Sequence, residues 1–189
     1  MSNLVDVPLI EELPQGFMAV RTGKRNFSWR MDNPSTITYI VALDNGDPSK
    51  EAEYRDELFE LDAPFTGNGN TIFKSINRLL GVIWGNKSTA IAIDYWIKNR
   101  NEKTYLFNPS DINQKPIIMY DRNYQDTYSD PGSFITERNS FNKNVLKMDS
   151  NNLILMGDGY SEKGQFPFVD RLNLDNLTTK RIYESIYTD

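Results

Sequence analysis

Residues 57–75 read ELFELDAPFTGNGNTIFKS: a run with apolar residues at alternate positions, a turn rich in Asp, Pro, Gly and Asn, and a second run with a basic residue near its end. The outline returns at 103–121, KTYLFNPSDINQKPIIMYD, and at 168–185, FVDRLNLDNLTTKRIYES. Alternation with period two is the mark of a strand with one buried face, and two such runs around a turn predict a hairpin. Ahead of each copy stands a second hairpin-like pair: FSWRMDNPSTITYIVAL at 27–43, GVIWGNKSTAIAIDYW at 81–96 and VLKMDSNNLILMGDGY at 145–160. Four strands per unit is the arithmetic of a propeller blade. The units recur at an uneven interval of roughly 50 to 65 residues, because the connecting loops differ in length.

Outward from these repeats, the rest of the chain reads the same way. Met18 to Arg21 reads as a further strand, and the runs at Thr36–Leu43, Thr89–Tyr95 and Phe168–Asn173 are rich in Ile, Val, Thr, Tyr and Phe. Asn45-Gly46, Gly67-Asn68-Gly69-Asn70, Pro131-Gly132 and Asp158-Gly159 supply residues that accept positive φ. Only Asp47 to Glu60 and Ile72 to Leu80 could be argued as helical; both are short and poorly capped, so they are read as loop plus strand. The predicted fold is therefore all-β, a partial β-propeller of about three four-stranded antiparallel blades at roughly 17–75, 81–121 and 145–185 within residues 14–189, behind a leading segment 1–13. Trp29 and Trp84 fall at equivalent places in successive blades and are expected to fill the wedge between sheets. Propellers close with about four to eight blades, so three imply a piece of a longer protein, with an exposed last blade edge prone to self-association.

Composition narrows the function. Against 26 Asp and Glu stand 21 Lys and Arg, a net charge of −5, which argues against a sequence-independent grip on nucleic acid. No apolar stretch approaches the roughly 20 residues that cross a bilayer. The opening MSNLVDVPLIEEL lacks the pattern of a secretory leader, and no compartment follows from that. The chain has no histidine and no cysteine, so it cannot by itself assemble a Ser-His-Asp or Cys-His relay, a disulfide or a thiolate metal site. No catalytic residue is assigned and no cofactor is expected. DNGDPSKEAEYRDE (44–57) and QDTYSDPG (125–132) cluster hard oxygen ligands, but neither has the spacing of a calcium-binding loop, and no metal is predicted. The densest group of polar and turn residues is the loop DRNYQDTYSDPG, 121–132. Asp121, Arg122, Asp126 and Asp130 are its candidate contacts for substrate or for a neighbouring domain, against a plain reading as a turn capped by its own Asp side chains.

Several stretches together resemble the N-terminal propeller of the prolyl oligopeptidase family of serine peptidases, in particular its glutamyl endopeptidase and acylaminoacyl-peptidase-like branch. They are FSWRMDNPSTITYIVALDNGDP (27–48), EYRDELFELDAPF (53–65), RLLGVIWGN (78–86), YDRNYQDTYSDPGSF (120–134) and GDGYSEKGQFPFVDRLNL (157–174), in matching order and rough spacing. The resemblance implies a propeller that covers an active site and filters peptide substrates, followed by a C-terminal α/β-hydrolase domain carrying G-x-S-x-G, Asp and His. This chain has no such elbow. Dipeptidyl-peptidase relatives hold the substrate's amino terminus with a propeller Glu pair; Glu11-Glu12 lies outside every matching stretch, and the role is not carried over. The expected function is a non-catalytic propeller segment of such a peptidase. The alternatives are a stand-alone protein-interaction module and a propeller glycosidase working through paired carboxylates.

Overall fold

A computed structural model describes residues 9, 11 and 13–187. Most of the leading segment, Glu12 included, lies outside the described residues. From Arg25 onward the chain folds as consecutive antiparallel meanders, and among the described residues there is no α-helix. The first sheet is β1 (Arg25–Trp29), β2 (Thr36–Ala42), β3 (Asp56–Asp62) and β4 (Asn70–Ser75), in that order. The second is β5 (Arg78–Asn86), β6 (Thr89–Trp96), β7 (Asn101–Phe107) and β8 (Ile117–Asn123), again in chain order. Both segments that could have been helical are loop and strand.

The third sheet is built on the same plan with its first strand broken. β9 (Ser133–Phe134) starts the pairing and the hairpin of β10 (Thr136–Arg138) and β11 (Asn144–Leu146) loops out. β12 (Met148–Asp149) then resumes it on β13 (Asn152–Gly157). A small hairpin, β14 (Tyr160–Ser161) with β15 (Gly164–Gln165), separates β13 from β16 (Phe168–Asn173), and β17 (Thr179–Glu184) closes the sheet.

The sheets stack face to face, which makes them blades of a partial propeller. β6 shows how. Its sequence TAIAIDYW alternates small and large, so Ala90 and Ala92 point to one side and Ile91 to the other, and all three are fully buried. The alanines leave room for Phe73, Trp84, Tyr105 and Phe107, which with Ile40 and Leu58 form the core between the first two sheets. Ile91 meets Leu153, Leu155 and Leu172 in the core between the second and third. Phe73 packs edge-on to Tyr105 at 5.2 Å between ring centroids and tilted to Phe107 at 4.7 Å, geometries that add to area burial.

A buried ionic network crosses the first seam. Arg78, the first residue of β5, reaches Asp44 Oδ2 at 2.8 Å and Asp56 Oδ1 at 3.1 Å, and its Nε donates to the Met18 carbonyl at 3.0 Å. Asp44 also receives Arg55 at 2.8 Å, and Asp56 accepts the Leu79 backbone N–H at 2.9 Å. Arg25 Nη2 lies 2.5 Å from Asp56 Oδ2, off the line of a good hydrogen bond, so that contact is a pairing of charge. Met18 to Arg21, expected to be a strand, is instead an irregular stretch anchored here. Its backbone meets a loop, with Val20 N–H bonded to the Gly46 carbonyl at 3.0 Å, and among the described residues no strand pairs with it.

Trp84 fills the wedge between sheets as expected, buried against Phe107 with the Arg30 guanidinium over its ring at 5.0 Å. Trp29 does not: it is 52% exposed. Its cross-strand partner Ile37 places it on the face of the first sheet turned away from the second, where among the described residues no further sheet packs and only Phe65 meets its ring.

Removing Asp56 leaves Arg25 and Arg78 as buried cations without their shared partner. Asp56→Ala is expected to cost about 3–5 kcal/mol, read as a fall in the urea midpoint of unfolding. A loss under about 1 kcal/mol would show that the network does not hold the seam.

Candidate functional site

The loop that leaves β8 is held by its own side chains. Asn123 Oδ1 accepts the Gln125 N–H at 2.9 Å, Asp126 caps a single 3-10 turn (Thr127–Ser129) by accepting the Tyr128 N–H at 3.1 Å, and Asp130 accepts the Gly132 N–H at 2.9 Å. These are Asx turns, the local bonding that short polar side chains favour. Gly132 then brings the chain against β13. Its φ is +85°, and a Cβ there would sit 2.6 Å from the Met156 carbonyl oxygen, so only glycine fits.

Of the four residues singled out in the sequence as loop contacts, Asp121 and Arg122 lie on β8 itself, because that strand runs on to Asn123 in register with β7, and only Asp126 and Asp130 stand in the loop. Arg122 is its anchor: Nη2 donates to the Asp126 carbonyl at 2.7 Å, Nη1 approaches Glu102 at 3.5 Å, and Asp130 lies 3.9 Å away. Its Nε is buried with no hydrogen-bond partner among the described residues. Asp121 points elsewhere, to Lys103 and to Asn101 Nδ2 at 2.6 Å. Hydrogen bonding from Lys103 holds the Asp121 carboxyl below the usual carboxylate range, and hydrogen bonding from Ser129 does the same for Asp126.

Two clefts flank the loop, with Asp130 and Pro131 in the wall of both. One, of about 350 Å³, opens between the second and third sheets and is lined by Arg122, Glu102, Tyr120 and Phe134. The other, of about 490 Å³, lies over the third sheet against Tyr128, Tyr160, Lys163 and Phe168. In it Arg181 stacks on Phe168 at 4.1 Å and pairs with Asp170 at 2.5 Å and with Glu184. Both are in the size range of small-ligand and peptide-residue pockets. They present cations, carboxylates and aromatic faces, a chemistry of binding. Among the described residues no three carboxylates come together as a metal cage, and no described helix is long and apolar enough to cross a membrane.

The wall formed by Tyr160, Lys163, Phe168, Asp170 and Arg181 was not singled out in the sequence. Its one signal was the stretch 157–174 that carried the family resemblance. Arg181 joins it only through cross-strand pairing with Asp170, which no spacing announces.

Two outcomes check this description. In a carboxyl NMR titration, Asp121 is expected to titrate below the ordinary value near 3.9 and Lys103→Met to move it up. A group depressed in the folded state contributes stability present above its unfolded pKa and lost as pH falls through the folded one, so Asp121 stays ionised through mild acid. Second, Gly132→Ala is expected to cost at least about 1 kcal/mol in thermal unfolding; a neutral result would contradict the close approach to β13.

No protein-family model matches the chain. It is 33% identical over 190 aligned residues to a probable chloroplastic glutamyl endopeptidase of Oryza sativa subsp. japonica and 32% identical over 191 to one of Arabidopsis thaliana, in each case across 97% of this chain and 20% of the relative. Among solved structures it is similar to TolB from Acinetobacter baumannii, with a TM-score of 0.42 at 14% identity, covering 80% of this chain and 31% of that one. It is also similar to an oligogalacturonate lyase in complex with manganese, with a TM-score of 0.41 at 14% identity, covering 85% and 36%. The chain is thus related, along nearly all of its length, to the glutamyl endopeptidases, of which it spans about a fifth.

Proposed function

We propose that this chain is a non-catalytic propeller segment of a serine peptidase of the prolyl oligopeptidase type, where it gates the access of peptides to an α/β-hydrolase domain and docks on that domain. The observation that carries the reading is its 32–33% identity, across 97% of its length, to proteins named as probable glutamyl endopeptidases. The chain matches 20% of each, so the rest of such a protein is available for the catalytic parts. Composition agrees, because a Ser-His-Asp relay needs a histidine that this chain does not contain. A stack of four-stranded blades is a rigid support for loops, and a loop on such a support is suited to recognition.

Within this reading, Asp121 and Arg122 at the end of β8 and Asp126 and Asp130 in the loop after it form the contact region. Arg122 and Asp130 line the cleft between the second and third sheets, where they would meet the backbone or side chains of a peptide or of the hydrolase domain. Asp126 fixes the turn that presents Asp130.

The test is active-site labelling with a fluorophosphonate, which reacts with activated serines. The purified 189-residue chain is expected to take up no label and to cleave no glutamate-containing peptide. Labelling of this chain, or cleavage abolished by a serine-directed inhibitor, would overturn the non-catalytic assignment. For the docking role, Arg122→Glu in the complete peptidase is expected to lower kcat/KM for long peptides at least tenfold while leaving fluorophosphonate labelling in place; unchanged kcat/KM would remove the loop from the contact.

A further inference from the structure

A third cleft lies away from the 121–132 loop, at the rim where the first two sheets diverge. It measures about 460 Å³ and is walled by Tyr54 and Ile76 from the first sheet's side and by Tyr105, Ile112 and Ile118 from the second's. Apolar side chains on this rim are unusually open to solvent: Ile112 is 50% exposed and Ile118 43%. β4 and β8, the strands beside it, are the outer edges of their sheets, each with one edge unpaired by any strand among the described residues.

Its electrostatics set it apart from the rest of the surface. The chain carries a net charge of −5, yet the charged residues lining this cleft are Lys74 and Lys115, with no carboxylate in the lining. Lys74 shares its charge with Glu57 at 3.5 Å, and Lys115 has no carboxylate within ion-pair distance among the described residues. An apolar slot between two ammonium groups, beside open strand edges, matches an extended segment that alternates apolar side chains with carboxylates. The apolar side chains displace water from the slot, the carboxylates meet the lysines, and the backbone has a strand edge to bond to.

We propose that this cleft is a docking site for an extended acidic-apolar peptide segment of a partner protein. The inference does not depend on the peptidase reading, since it uses neither the 121–132 loop nor any catalytic part.

The experiment is fluorescence anisotropy at low ionic strength with a short fluorescein-labelled peptide alternating leucine and glutamate, compared with the same peptide carrying lysine in place of glutamate. The glutamate peptide is expected to bind saturably and the lysine peptide not to bind. Lys115→Glu and Ile118→Asp should each weaken binding at least tenfold, and the pair Lys74→Glu with Lys115→Glu should turn the preference toward the lysine peptide. All these positions are on the surface, and thermal unfolding is the check that each variant folds. Lys163→Glu, in the cleft over the third sheet, should change nothing. Absence of saturable binding, a preference unaltered by the double charge reversal, or equal weakening by Lys163→Glu would overturn the proposal.

Discussion

Arg78 takes a full positive charge into the seam between the first two sheets, where it is 3% exposed and bonded to Asp44, Asp56 and the Met18 carbonyl. Carrying ions out of water is costly, and such a network is tolerated only when nearly every donor and acceptor finds a partner in good geometry. That condition reaches far along the chain. Asp44 belongs to the loop after β2, Asp56 opens β3, Arg78 opens β5, and the Met18 stretch is drawn onto them. The network therefore fixes the relative placement of two blades at one end of the seam, while the aromatic packing of Phe73, Tyr105 and Phe107 fills its middle. What it leaves open is the outer rim, where the sheets diverge into the cleft between Lys74 and Lys115.

The blade plan was legible because it is written locally. Alternating residues declare a strand with two different faces, and Gly67-Asn68-Gly69-Asn70 or Pro131-Gly132 declare a change of direction, since Gly67, Gly69 and Gly132 all adopt positive φ. The repeated hairpins 57–75, 103–121 and 168–185 correspond to β3 with β4, β7 with β8, and β16 with β17. Misreadings occurred where the outcome depended on what lay across a sheet. Trp29 and Trp84 have the same local setting; Trp84 packs against the neighbouring sheet, and among the described residues no sheet packs on Trp29. Met18 to Arg21 looks like a strand and, among the described residues, has no strand beside it. The broken first strand of the third sheet is hidden because the 136–146 hairpin interrupts it between two pairs of residues.

The same division holds for the functional surface. The 121–132 stretch announces itself through its Asp, Asn and Gly residues, and the structure shows Asn123, Asp126 and Asp130 capping backbone N–H groups there. The opposite wall of its larger cleft comes from residues 159–184, and the ionic network joins residues from 18 to 78; neither can be read from spacing along the chain. The absence of histidine and cysteine acquires meaning only beside kinship with the glutamyl endopeptidases. Both features, the seam and the clefts beside the loop, are built from paired charges and aromatic faces.

The central claim is that the first two blades form one cooperative unit through the Arg78 network and the core beside it. Native-state hydrogen exchange tests it most directly. Amides in β2 and β3 are expected to exchange with the same free energy and the same denaturant dependence as those in β6 and β7, because one blade cannot open without stripping Arg78 of its partners. Exchange of the first-sheet amides through a separate, lower-energy opening that leaves β6 and β7 protected would contradict it.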